Sequence, residues 1–157
     1  MQNRAVLLAV LAGGILLFAT WAAGEWFTAG LPVSDFPELP QAVASDLEKR
    51  GCRIVPDRAR RNGRNVISGD FAGHGRVDWA ALCRQGDVAS VLVYFAERPE
   101  DPAVLNPSPS GLGDDPESAR TIGVAARAPE GIEDAVGMGS VILYYSAGEW
   151  QRLAGAD

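Results

Sequence analysis

The chain is expected to fold as a small α+β domain, a mostly antiparallel sheet with one amphipathic helix packed on it. Two observations carry that expectation. Leu39, Val43 and Leu47 recur four apart in LPQAVASDLEKR, the spacing that places apolar side chains on one helical face. After Gly51 the pattern changes to short β-branched and aromatic runs separated by Gly, Asp or Pro. Links that short join antiparallel neighbours, because a parallel pair needs a crossover of a dozen or more residues. With 157 residues, 47% of them hydrophobic, the chain has material for one core and too little for two substantial ones.

The amino terminus comes first. Arg4 precedes an uncharged apolar stretch, Ala5 to Ala23, which ends in Ala22-Ala23-Gly24 before Glu25. A positive start, an apolar middle and small residues at the exit predict a signal peptide over residues 1–24. As a helix the same stretch would rise about 28 Å, nearly the thickness of a bilayer's hydrocarbon core, so an uncleaved anchor at residues 5–23 is the alternative. Either outcome exports the remainder, periplasmic or secreted. Residues 25–38 contain Pro and turn formers without periodicity and are expected as a linker, with the domain proper at 39–157.

The helix is expected over 39–50, with Pro40 in its first turn, Lys49 and Arg50 in its last, and Gly51 as the stop. Strands are expected at Cys52–Val55, Asn65–Phe71, Val77–Cys83, Ala89–Phe95, Thr121–Ala125 and Ser140–Tyr145, with a return strand through Trp150 after a turn at Ala147-Gly148. VLVYF (Val91 to Phe95) is apolar on both faces and should lie centrally under the helix. In RVDWAALC, Val77, Trp79, Ala81 and Cys83 share one face and Asp78, Ala80, Leu82 and Arg84 the other. The proline-rich, acidic stretch 97–118 is expected as a long loop.

Cys52 and Cys83 are the only two cysteines. In an exported chain an even count predicts a disulfide, and no third or fourth thiol is present to complete a zinc site.

GDFAGHGRVDWA, from Gly69 to Ala80, is the one stretch with the outline of a binding loop. Calcium loops direct oxygens inward from alternate positions, and here those positions hold Asp70, Ala72, His74, Arg76 and Asp78. The stretch resembles the GDFNGDGxxDLA pattern of FG-GAP and VCBS repeats, the blade motif of integrin alpha propellers. The resemblance implies calcium ligands at Asp70 and Asp78 and, through its backbone carbonyl, Arg76. It fails at Ala72, which has no side-chain oxygen, and at His74, whose nitrogen suits a hard cation poorly. The expected role is therefore a metal-free turn, in which Gly73 and Gly75 supply positive φ and the two aspartates accept loop amides; weak calcium binding is the alternative. More broadly, the order NVISGDF, RVDWAALC, SVLVYF, IEDAV and WQRLAGAD resembles uncharacterised exported bacterial domains, a likeness that implies one domain and no activity.

Other chemistry is scarce. His74 is the only histidine, so a Ser-His-Asp or Cys-His hydrolase would have to use it; Ser68, Asp70 and Asp78 lie nearby in sequence, and there is no nucleophile-elbow motif. Glu130, Glu133 and Asp134 are expected as solvated carboxylates in a turn. A formal charge of -6 excludes nucleic-acid binding through the overall field. The basic run 49–64, with Arg58, Arg60, Arg61 and Arg64 at its centre, is a candidate contact for anionic lipid or an envelope polymer. The resulting expectation is an exported, non-enzymatic binding domain without a cofactor, with calcium binding or a His74 hydrolase as alternatives.

Overall fold

The computed structural model describes residues 30–57, 65–96, 98–109, 119–125, 130–136 and 139–155. The expected signal segment and the central arginines Arg58, Arg60, Arg61 and Arg64 lie outside the described residues. From Leu31 onward the chain forms one compact unit, built mostly of antiparallel strands with one α-helix and one disulfide. Among the described residues no helix is long and apolar enough to cross a membrane.

The helix, α1 (Gln41–Lys49), buries Val43 and Leu47, two members of the expected stripe. Burying a side chain of that size stabilises by about 1.5–3 kcal/mol. It stops where glycine permits: Gly51 has φ +68, the Gly51 amide donates to the Glu48 carbonyl and the Cys52 amide to the Leu47 carbonyl, both at 2.9 Å. That paired closure is a Schellman motif. The expected linker is shorter than read. Leu31 bridges Ile54, Val33–Asp35 make a 3-10 turn, and Val33, Phe36 and Leu39 are buried. These three recur every third residue, but Pro32, Pro37 and Pro40 around them bar a continuous helix, which is why the stretch reads as linker.

The first sheet contains β1 (Arg53–Ile54), β2 (Val66–Gly69), β3 (Asp78–Gln85), β4 (Val88–Phe95) and β5 (Arg98–Pro109). Its order is β1-β3-β4-β5, with β2 also on β3. The second sheet is a meander of β6 (Arg120–Ala125), β7 (Gly131–Val136), β8 (Gly139–Ser146) and β9 (Glu149–Ala154). One sheet was expected, and two are present. The first is covered on both sides: Ala81, Cys83, Leu92 and Tyr94 meet Val43 and Leu47 of α1, while Ala80, Leu82, Val91, Val93 and Phe95 meet Ile122, Ile132 and Leu143 of the second sheet. The continuous apolar run VLVYF is the sequence trace of that double burial.

Two expectations are corrected here. Residues 98–109 are not loop but the edge strand β5, and three of its four prolines fall in gaps of its register with β4, while Pro109 lies opposite Val88 at the strand's end. Register runs Val93↔Ala103 and then Phe95↔Arg98, so Pro99 and Pro102 sit in the gap; it breaks again between Ala89↔Ser108 and Val91↔Leu105, around Pro107. Bulges on an edge strand are where a residue without an N–H is tolerated. The remainder of the expected loop, residue 97 and residues 110–118, lies outside the described residues. The second correction is β7, where a solvated acidic turn was expected. Asp134 is buried beside Ile132, and its charge is met by a partner distant in sequence.

That partner is Arg120. Its Nε and Nη2 donate to the two oxygens of Asp134 at 2.8 and 2.6 Å, Nη1 to the Ala89 carbonyl and the Ser108 hydroxyl, and Nη2 also to the Asn106 carbonyl. Asn106, at φ 46 in the bulge of β5, adds a bond from its side-chain amide to Asp134. All five guanidinium donors are used. Asn65 makes a second clamp: its side chain accepts from the Ile122 amide at 2.9 Å and donates to the carbonyls of Arg120 and Val55. An amide side chain thus pairs with the edge of β6 as a peptide group would.

Candidate functional site

The hairpin between β2 and β3 closes at Gly69↔Asp78, so Asp70 begins the loop and Asp78 ends it. Asp70 accepts the amides of His74 and Gly75 on its two oxygens, both at 2.8 Å. Gly73 and Gly75 have φ of 71 and 70, the left-handed turns that aim those amides inward. Asp78, buried at the start of β3, accepts the Ala72 amide on one oxygen and the Ala96 amide on the other, both at 2.9 Å. It therefore ties the loop to the end of β4. Glu130, expected in solvent, accepts the Asp70 amide at 2.8 Å. It lies so close to Gly69 that a Cβ there would come within 2.5 Å of its carboxylate.

These bonds explain how the loop keeps its shape. Each oxygen of both aspartates has a backbone partner, and the amides, foremost that of Gly75, hold the Asp70 carboxyl below its ordinary range. Among the described residues no three His, Cys, Asp or Glu side chains converge as a metal-ligand group. A cation at this loop would share Asp70 and Asp78 with the amides, with the Arg76 carbonyl as the further oxygen that the motif offers.

The outer side of the loop borders a cleft of about 50 Å³, whose lining includes His74, Arg76, Asp78, Phe95, Arg98 and Tyr145. Three segments meet there: the β2–β3 loop, the β4–β5 connection and β8. His74, Arg76 and Arg98 are exposed, whereas Asp78 is 2% exposed and turned to its amides. The floor is aromatic. Phe95 and Tyr145 lie 5.0 Å apart between centroids, and Trp150 stacks on Phe95 at 6.0 Å. Tyr145 reaches the cleft because β8 and β9 are joined by a two-residue turn, Ala147-Gly148, with φ 53 and 86, the positive-φ pair that matches strand twist.

Compared with family models, curated proteins and solved structures, the chain matches none.

Function has therefore to be argued from this cleft. It unites three residues singled out in the sequence, His74, Arg76 and Asp78, with three that were not, Phe95, Arg98 and Tyr145. The first three share one sequence segment, Phe95 and Arg98 flank a second, and Tyr145 lies on a third. Ser68, a nucleophile candidate, is on β2 and does not line the cleft, and among the described residues no Ser, Thr or Cys lines it. Cys52 and Cys83 are joined as a disulfide with Cα atoms 5.5 Å apart. In the basic run, Arg50 is committed to Asp46 one helical turn away, which in turn accepts the Tyr94 hydroxyl at 3.0 Å. Burial, then the Asp46 bond, raises the pKa of that phenol, so Tyr94 stays neutral and anchors α1 to β4.

Proposed function

We propose that this chain is an exported, non-catalytic binding domain that meets its ligand at the cleft beside the β2–β3 loop. The observation that carries the reading is the lining itself: exposed His74, Arg76 and Arg98 over a floor of Phe95 and Tyr145. An apolar floor with a few convergent polar groups is the composition of a ligand site. Among the described residues the lining offers no hydroxyl or thiol nucleophile beside His74 other than the phenol of Tyr145, which favours binding over hydrolysis. Export is supported by the apolar stretch Ala5 to Ala23 and by the disulfide, a bond that persists in oxidising compartments.

Two measurements test the reading. A periplasmic phosphatase reporter fused after residue 40 should be active, and an inactive fusion would remove export. The purified chain should co-sediment with an insoluble cell-envelope fraction, and Arg98→Glu should reduce the bound share; equal sedimentation of both forms would remove the cleft as the site.

A further inference from the structure

We infer that the cleft recognises a small anionic group, a carboxylate or a phosphate, carried at the end of a larger molecule. The inference rests on the cleft being the ligand site and adds the ligand's chemistry. Size is the first argument. One water occupies roughly 10–15 Å³ of such volume, so 50 Å³ admits a terminal group and not a whole sugar chain or lipid.

Charge is the second argument. Among the described residues the only carboxylate in the lining, Asp78, is 2% exposed, and its two oxygens accept the amides of Ala72 and Ala96. What faces solvent is His74 on the loop and the side chains of Arg76 and Arg98, from two different segments. A guanidinium carries five donors in a planar fork, the geometry that matches a carboxylate or phosphate. The chain carries -6 overall, so a preference for an anion would come from the cleft's arginines and not from the long-range field. The Phe95–Tyr145 wall lies beside these groups, where the carbon next to the anionic group would rest.

The test is a nitrogen-15 NMR titration of the purified chain with sodium phosphate, sodium acetate and neutral methyl glucoside at constant ionic strength. Phosphate or acetate should shift the amides of residues 73–75, 96 and 145 saturably, and Arg76→Gln and Arg98→Gln should each weaken binding about tenfold. Lys49→Gln should leave it unchanged. Both arginines are exposed, and circular dichroism should show each variant folded, with a cooperative thermal transition. Vesicles of phosphatidylglycerol against phosphatidylcholine then separate the sources: pelleting with the anionic lipid alone supports a headgroup phosphate, and binding of free anions without pelleting supports a soluble or polymer-borne group. Saturation by glucoside but not by either anion would overturn the anionic class and leave the cleft as a site. Anion binding unaffected by the arginine variants would overturn the proposed contacts. Cleft amides unmoved by every probe, with Arg98→Glu still sedimenting with envelope, would overturn both proposals.

Discussion

Arg120 of β6 and Asp134 of β7 form a two-pronged ion pair at 2.6 and 2.8 Å, with side chains 1% and 0% exposed. The pair lies between the sheets, and Arg120 extends it to Ala89 of β4 and to Asn106 and Ser108 of β5. The clamp thus registers one sheet on the other at the end of β5 opposite Arg98.

Removing one partner leaves a buried charge. Asp134→Leu or Arg120→Met should each cost about 3–5 kcal/mol, measured as the loss of denaturant stability. The double variant should cost less than the sum, because its second substitution removes the stranded charge. Strict additivity would mean that the two groups act independently.

Asn65 should behave differently because it is neutral. Asn65→Leu leaves the Ile122 amide without its acceptor and the Val55 and Arg120 carbonyls without their donor, for a loss of at least about 2 kcal/mol. Hydrogen exchange should accelerate at Ile122 more than at the centre of β4. Uniform acceleration would assign the loss to global packing.

These clamps also show what sequence patterns can carry. The helix, the hairpins around residues 70–78 and 147–148, and the two-faced burial of VLVYF were legible, because each follows from local periodicity or a turn residue. β7 was not: Asp134 is an interior residue only in the presence of Arg120, and that charge comes from the preceding strand across a segment outside the described residues. β5 was hidden by Pro99, Pro102 and Pro107, which mark bulges and not a loop. In the cleft, His74, Arg76 and Asp78 stood out as one motif, while Arg98 and Tyr145 join it only through strand pairing. A scan for aromatic and basic residues at strand ends would have found them.

Asp70 gives the loop an acid limit. Its carboxyl is held below the ordinary 3.8 chiefly by the Gly75 amide. A depressed folded-state pKa means that the folded chain favours the ionised form, so this contribution is complete above the unfolded value and is lost as pH falls through the folded one. The stability difference between wild type and Asp70→Asn should therefore hold at neutral pH and shrink below about pH 4. A difference independent of pH would show that the amide bonds do not depend on the charge.

The disulfide should contribute through the unfolded chain. Cys52 and Cys83 are 31 residues apart, and closing a loop of that length removes about 3.5–4 kcal/mol of unfolded-state entropy. Cys52→Ala/Cys83→Ala should lower denaturant stability by that order. Since both cysteines are buried in the core under α1, a further loss from vacated volume is expected; a loss well under 2 kcal/mol would mean that the oxidised unfolded chain is scarcely restricted.

The loop also makes a prediction about what it lacks. If its outline is that of a calcium loop with two oxygens missing, restoring them should restore binding. Ala72→Asn with His74→Asp adds side-chain oxygens at the two failed positions, beside Asp70, Asp78 and the Arg76 carbonyl, and water can complete a shell of six or more. Gly73 and Gly75 already hold the turn at positive φ, so little reordering is needed. Calorimetric titration should show no saturable calcium binding below about 1 mM in the wild type and a dissociation constant of about 0.1–1 mM in the double variant, with His74→Asp alone weaker. Binding by the wild type in that range would mean that two carboxylates, a carbonyl and water suffice. Failure of the double variant would mean that the amide bonds to Asp70 and Asp78 have closed the loop to an ion, making the resemblance one of backbone shape alone.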